Sequence, residues 1–390
     1  MEVFLKISGM TLFSLYIHVP FCISKCGYCS FYSRPFDRAS AESWLDGVSR
    51  EAERLALIWG EKIPLRTIYI GGGTPSVLPI SAWKRLLDIL ENAFDFSELI
   101  EFTVEANPCS LPEEHLSLWR GFRVTRISLG VQSLNDEELT WLRRRHDAKT
   151  ALTALEKTHS CGFDVSADLI FGLPSQTLST WKHSLSSVLL AGAGHVSIYQ
   201  LTLEPGTLLG HAVSLLPKLA APPLPDGYPF YRFAQWYLER KGLEQYEIAS
   251  FARRDKKCRH NFAYWRQENV LALGPSAWGY LNGFRYRNAR TLEEYFSHAL
   301  AEKGFPIVEA ERLEGPERGI EAAILALRTA QGIDTASFAA RFGEGLAKNV
   351  FGALKNIPQY LVRFENGRVY LTPAGMRVGN AIWAELLGFY

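Results

Sequence analysis

Three cysteines, Cys22, Cys26 and Cys29, stand within eight positions of a 390-residue chain that holds six cysteines in all. Thiolates ligate soft metals and iron–sulfur clusters, so the spacing CxxxCxxC raises a metal centre before any fold is considered. Structural zinc favours two pairs of close ligands, whereas Cys109, Cys161 and Cys258 are isolated. A zinc site would have to be completed by His18 or by one distant thiolate. Three clustered thiolates instead suit three irons of a [4Fe–4S] cube, whose fourth iron stays open to an external ligand. Spacing favours the cluster, with zinc as the competing reading. Two places after Cys29 stands Phe31, an aromatic where a fourth thiolate could have been.

The elements that must position these thiols alternate along the chain. Short β-rich runs recur at 15–19, 67–71, 101–106, 126–131, 164–172 and 196–203, and segments of helical spacing lie between them at 41–58, 80–94, 112–119, 135–144, 148–161 and 178–191. Strand alternating with helix predicts a parallel sheet, because parallel strands need a crossover and the crossover is usually a helix. Six units predict an α/β fold of the incomplete (β/α)6 barrel kind. Its strands end on unusual sequences: the cysteines, "GGGTPS" (71–76), Glu105, "GVQS" (130–133), and Asp168 with "FGLP". Ligands of parallel α/β sheets and barrels bind at the carboxyl ends of the strands, so these segments converge on one expected site.

The chain divides on this reading into an N-terminal extension over 1–13, a partial barrel over 14–204, a segment over 205–290 packed on the barrel, and a smaller, mostly helical C-terminal domain over 291–390. Six prolines between 205 and 229 predict a loop or lid there, followed by a helix near 228–241. Near the C-terminus, "ENG" between two alternating runs predicts a β-hairpin followed by a helix.

Composition narrows the partners. With 42 basic and 41 acidic residues the net charge is +1, which gives no clustered positive potential for nucleic acid. The basic runs at 143–146 and 252–260 read as solvated faces or anion contacts. No segment has the length and apolarity of a membrane span, and the first fifteen residues lack a small-residue cleavage site, so a cytoplasmic protein with reduced thiols is expected.

"CISKCGYC" matches the CxxxCxxC of the radical S-adenosylmethionine superfamily. With "YIHVPFC", "GGGTPS", "EANP", "LGVQS" and "DLIFGLP", the chain resembles the branch that contains oxygen-independent coproporphyrinogen III oxidase and the HemW heme chaperones, over nearly its whole length from about Tyr16. The resemblance implies a [4Fe–4S] cluster on Cys22, Cys26 and Cys29, with its open iron chelated by the amino and carboxylate groups of S-adenosylmethionine. It also supplies roles that the other residues' chemistry permits. Gly71, Gly72 and Gly73 lack Cβ, so backbone there can approach a ligand and offer carbonyls to an ammonium, and Thr74 adds a hydroxyl. Glu105 and Asp168 are acceptors for ribose hydroxyls, Gln132 donates and accepts, and Arg144 offers a planar fork to the methionine carboxylate. Tyr16 and Tyr28 are implied to flank the adenosyl group.

Two features separate the members of that branch. The porphyrinogen decarboxylase carries CxxxCxxCxC, and Phe31 occupies the place of its fourth cysteine; the HemW pattern usually has Asp before the aromatic, where this chain has Ser30. HemW-like sequences also carry HNxxY, associated with heme, and this chain reads "HNFAY" at 260–264. A neutral imidazole such as His260 suits heme iron, Tyr264 can ligate or hydrogen-bond, and Asn261 can orient the ring or a propionate. Arg254, Lys256, Lys257 and Arg259 could neutralise propionates, and Tyr246, Phe262 and Trp265 offer flat apolar surface. Against this, a histidine among aromatics is usually a satisfied, half-buried side chain. Ser276 and Trp278 replace the Gly and His usual in relatives. The expected function is binding of heme and its transfer to an acceptor protein, with cluster and S-adenosylmethionine in attendance and the acceptor and electron donor unidentified. The alternative is radical oxidative decarboxylation of coproporphyrinogen III.

Overall fold

The computed structural model describes residues 11–215, 224–301 and 304–388. Most of the expected N-terminal extension, residues 1–10, lies outside them, as do Pro217, Pro222 and Pro223 of the expected lid.

Six parallel strands carry the first half of the chain: β1 (Phe13–Val19), β2 (Ile63–Gly72), β3 (Glu101–Ala106), β4 (Arg126–Gln132), β5 (Asp164–Phe171) and β6 (His195–Gln200). Each pairs in parallel with the strand before it, from Ser14 beside Thr67 through to Phe171 beside Gln200. The crossovers are α1 (Arg38–Trp59), α2 (Ile80–Ala93), α3 (Glu113–Gly121), α4 (Asp136–Trp141) with α5 (Ala148–Ser160), and α6 (Leu178–Leu190). Their starts follow from local chemistry. Asp37, Asn135, Asp147 and Thr177 each accept a hydrogen bond from a first-turn backbone N–H, as side-chain caps do. This is the predicted partial barrel, and both sheet faces are covered: in β1, Phe13, Leu15, Ile17 and Val19 are buried on one face while Ser14 and His18 are buried on the other.

The sheet then extends beyond six strands. After α7 (Leu208–Leu215) and α8 (Gly227–Arg240), β7 (Ser250–Ala252) pairs antiparallel with β6, and Glu244–Gln245 pairs with β7 at that edge. The helix α9 (Arg259–Trp265) carries "HNFAYW" and leads into β8 (Val270–Leu273), a seventh parallel strand beside β1. Three antiparallel strands, β9 (Trp278–Leu281), β10 (Phe284–Asn288) and β11 (Ile307–Arg312), continue from β8. "VLAL" is too short for a readable period, which is why sequence pattern did not reveal β8. α7 likewise occupies part of the stretch read as a loop from its prolines.

A second apolar core gathers Ile320, Ala323, Leu327, Phe338, Val350, Leu354 and Ile382 around helices over 315–387 and a three-stranded sheet. Its hairpin joins Val362–Glu365 to Arg368–Leu371 through Asn366 (φ 51°) and Gly367 (φ 72°), the left-handed pair that an Asn-Gly turn supplies. This unit grips the main sheet near α9. Arg328 lies 4.7 Å from the ring centre of Trp265, its carbonyl accepts from the Ile248 N–H at 2.9 Å, and the Ala330 N–H donates to the Tyr246 carbonyl at 2.9 Å.

Candidate functional site

The cysteines sit on the loop after β1. Phe21–Cys22 pairs with Arg34–Pro35, which closes the loop at its base and leaves Cys26 and Cys29 between. The glycine run after β2 is tied to the same loop: the Gly73 N–H donates to the Val19 carbonyl at 2.8 Å and the Thr74 N–H to the Phe21 carbonyl at 2.7 Å. A side chain would break this join. A Cβ on Gly73 would stand 2.6 Å from the Phe21 oxygen, and Gly72 has φ 108° with the His18 ring 2.5 Å from where its Cβ would be.

One cavity of about 400 Å³ opens at this rim, and Cys22, Cys26, Cys29, Tyr28, Gly72, Gly73, Thr74, Glu105, Gln132, Arg144 and Asp168 all line it. Sequence reading drew all but Arg144, which stands in the basic run 143–146, from five strand ends, and the parallel sheet brings those ends together. Thr74 Oγ1 donates to Cys22 Sγ at 3.5 Å, and Arg144 donates from Nη1 to Cys26 Sγ at 3.2 Å and from Nη2 to the Gly130 carbonyl at 2.5 Å. The Arg144 Nε is buried without a protein acceptor, which leaves part of its fork for a ligand. At Gln132 the pairing of β4 with β5 slips by a bulge and the backbone takes φ 68°, uncommon for a side-chain-bearing residue, so the strand end is re-aimed at the rim.

The two carboxylates differ in their ties. Glu105 accepts from Tyr69 Oη at 2.8 Å and from the Gly72 N–H at 3.1 Å, yet burial dominates and, with Asp168 nearby, pushes its pKa up to about 7. Asp168 accepts from Ser128 Oγ at 3.0 Å and is also pushed up, again by burial. Burial works against the Arg144 charge, but Tyr28 and Cys26 beside it outweigh that and raise its pKa above the usual guanidinium value.

The donor set suits an iron–sulfur cube: three thiols line one mouth and none of the six cysteines is in a disulfide. A cube takes each thiolate on a different iron and needs them around one mouth.

Tyr16 is not part of that cavity. It lines a neighbouring one, and its hydroxyl meets His18 Nδ1 at 3.1 Å. The "HNFAY" residues separate as well. Glu101, itself buried, accepts the backbone N–H of Arg259 at 2.7 Å and of His260 at 2.9 Å, which pins the start of α9. His260 is 1% exposed. With Thr67 Oγ1 donating to Ser14 Oγ at 2.8 Å, the His260 Nδ1–H donates to Thr67 at 2.9 Å, and Nε2 is left with its lone pair and no protein partner. Burial lowers the pKa of His260 to about 3, so the ring is neutral. Asn261 donates to Glu247 Oε1 at 3.3 Å, and Tyr264 lines the same cavity as Tyr16.

The basic residues around this helix are spent on ion pairs or stand elsewhere. Lys256 pairs with Asp164 and Lys257 with Glu244 at 2.9 Å, and neither they nor Arg254 and Arg259 line the two cavities. Tyr246 and Phe262 are buried against Cys258. Sequence reading gave no role to Lys25, Tyr199 or Glu204 of the first cavity, nor to Arg287 and Arg290 of the second. The end of β6 was the one available sign for Tyr199.

Comparison with known proteins gives the family and the fold. The profile of the radical SAM superfamily matches residues 16–188, and that of the HemN C-terminal domain matches 313–378. The heme chaperone HemW of Bacillus subtilis is 34% identical over 378 residues, which cover 96% of this chain and 99% of that protein. The heme chaperone HemW of Lactococcus lactis is 32% identical and covers 96% and 97% of the two chains. Among solved structures, the radical SAM enzyme coproporphyrinogen III oxidase (HemN) of Escherichia coli superposes with a TM-score of 0.85 over 100% of this chain and 93% of that one, at 20% identity, a likeness of fold.

Proposed function

This chain belongs to the HemW family of heme chaperones within the radical SAM superfamily, and from that premise we propose that it binds heme and hands it to an acceptor protein, with a [4Fe–4S] cluster held by Cys22, Cys26 and Cys29. The observation that carries the cluster is the single cavity shared by the three thiols and the strand-end residues. When bound, the cluster offers S-adenosylmethionine an open iron and an electron for its sulfonium. The chain's own residues bind and orient that ligand. Arg144 presents its guanidinium to the methionine carboxylate, Glu105 and Asp168 accept from the ribose hydroxyls, and Gln132 and Thr74 supply further hydrogen bonds. The bare backbone at Gly72 and Gly73 lets the ligand come close, with Tyr28 lining the same cavity and Tyr16 the next.

His260, Asn261 and Tyr264 are the heme residues of this reading. The neutral His260 ring, with Nε2 free of protein partners, is in the form that ligates heme iron. Its burial means that ligation requires α9 or its aromatic neighbours Tyr69 and Tyr264 to move, since their ring centres lie 5.2 and 5.5 Å away. No helix among the described residues is long and apolar enough to cross a membrane, and unpaired thiols suit the cytoplasmic setting of this proposal.

The test is a heme titration followed at the Soret band. Wild-type protein gives a saturable change, and His260→Ala alters its position or affinity. A wild type that leaves the Soret band unmoved rules the chaperone reading out. The same preparation, incubated with coproporphyrinogen III, S-adenosylmethionine and a reductant, is expected to yield no protoporphyrinogen, because Phe31 stands where the decarboxylase has its fourth cysteine.

A further inference from the structure

Beside the cysteine cavity lies a second one of about 740 Å³, and sites for small molecules typically measure about 300–1,000 Å³. The two share the walls formed by Lys25, Ser30 and Phe31. On the heme reading above, we infer that this second cavity holds the heme, with its propionates toward Arg287 and Arg290 and its macrocycle against Phe31 and Trp278.

Shape and charge both lead there. Phe31 is 65% exposed and Trp278, with the Arg287 guanidinium 5.6 Å from its ring centre, is 41% exposed, so aromatic surface of two residues is accessible on one cavity. Exposed aromatic surface of this kind marks a ligand or partner. Lys25, Arg287 and Arg290 line the cavity against one carboxylate, Glu309, an excess of positive charge that matches a dianion. Glu309 takes Nε and Nη2 of Arg287 at 3.0 and 2.6 Å, while Nη1 of Arg287 is buried with no protein acceptor. Arg290 is exposed and enters no ion pair among the described residues. A propionate can therefore meet a preset donor on Arg287 and a mobile one on Arg290.

The "HNFAY" helix meets this cavity as well. Tyr264 is its one residue of the three that reaches this cavity, and Tyr264 Oη donates to the Trp278 carbonyl at 3.4 Å. The motif and the β9–β10 hairpin thus form one wall. Heme seated there would lie beside the cysteine loop, with the Phe31 ring on the boundary between the two cavities.

Hemin and hemin dimethyl ester, in which both propionates are esterified, are titrated into the full chain and into Arg290→Ala and Trp278→Leu, with the Soret band and tryptophan quenching as readouts. The cavity assignment expects the ester to bind wild type at least about tenfold more weakly than hemin. It expects Arg290→Ala to weaken hemin several-fold with little effect on the ester, and Trp278→Leu to weaken both. Bound iron per chain and the thermal transition check that each variant is folded. If wild type binds hemin and ester alike and both variants match it, the assignment is overturned while the heme reading stands. If folded wild type binds no hemin, the heme reading fails and takes the assignment with it.

Discussion

The guanidinium of Arg144 touches the sulfur of Cys26 at 3.2 Å across 118 residues of sequence. That contact joins the turn between α4 and α5 to the loop after β1 and places a half-buried cation at the mouth where three thiols gather. A carboxylate arriving there meets a positive group that the chain has already desolvated and oriented, so little of the binding energy is spent on ordering it.

Replacing the arginine separates charge from shape. Arg144→Lys keeps the positive charge but loses the planar fork, and S-adenosylmethionine affinity is expected to fall on the order of tenfold. Calorimetry on anaerobically prepared protein measures it, and an affinity unchanged by the substitution would remove Arg144 from the carboxylate.

The thiols make a sharper division. Cys22→Ala, Cys26→Ala and Cys29→Ala should each drop bound iron from close to four per chain to a small residue, while Cys109→Ala and Cys161→Ala should keep it, because those two stand outside the cavity that holds the triad. Iron and sulfide assays with an absorption spectrum decide the matter. Abundant zinc in a colourless protein would defeat the cluster.

Heme and cluster should come apart at Glu101. Glu101→Ala leaves the N–H groups of Arg259 and His260 without their acceptor, at a cost of about 1–3 kcal/mol for each buried group left unsatisfied. A lower melting temperature and weaker hemin binding are expected, with iron content preserved. Loss of iron in step with heme would instead mean that the substitution unfolds the barrel.

Glu51 gives the pH dependence. It is buried on α1 and accepts from Tyr295 Oη at 2.6 Å, Asn288 Nδ2 at 2.8 Å and the Gly274 N–H at 3.1 Å, but burial outweighs these bonds and raises its pKa to about 7 from the usual 4.5. The folded state then holds a proton that the unfolded state has released. The contribution is full below pH 4.5 and is lost as pH rises toward 7, by at most about 1.4 kcal/mol per pH unit. Melting temperatures at pH 5 and pH 8 should show wild type losing more than Glu51→Gln over that interval. Parallel shifts in the two proteins would mean that Glu51 titrates normally.

Much of the site was legible because its signals are local. Cys22, Cys26 and Cys29 share one loop, and the alternation of strand and helix places Glu105, Gln132 and Asp168 at strand ends whatever the details of packing. Where the signal was weak, pattern reading fell short. The four residues of β8 show no period, and prolines between 205 and 229 hid α7.

Sequence alone determined the parallel barrel, the rim that carries the candidate site and the thiol triad, since each follows from spacing within a few residues or from a repeated period. Tertiary structure alone decided that His260 is sealed beneath Thr67, that Tyr16 leaves the cysteine cavity for the next, and that Trp278, Arg287 and Arg290 share a wall with Phe31. Those placements depend on which strand lies beside β1 and how α9 packs across it. Burial and contact of that kind are set by the whole fold, where residues hundreds of positions apart compete for the same space.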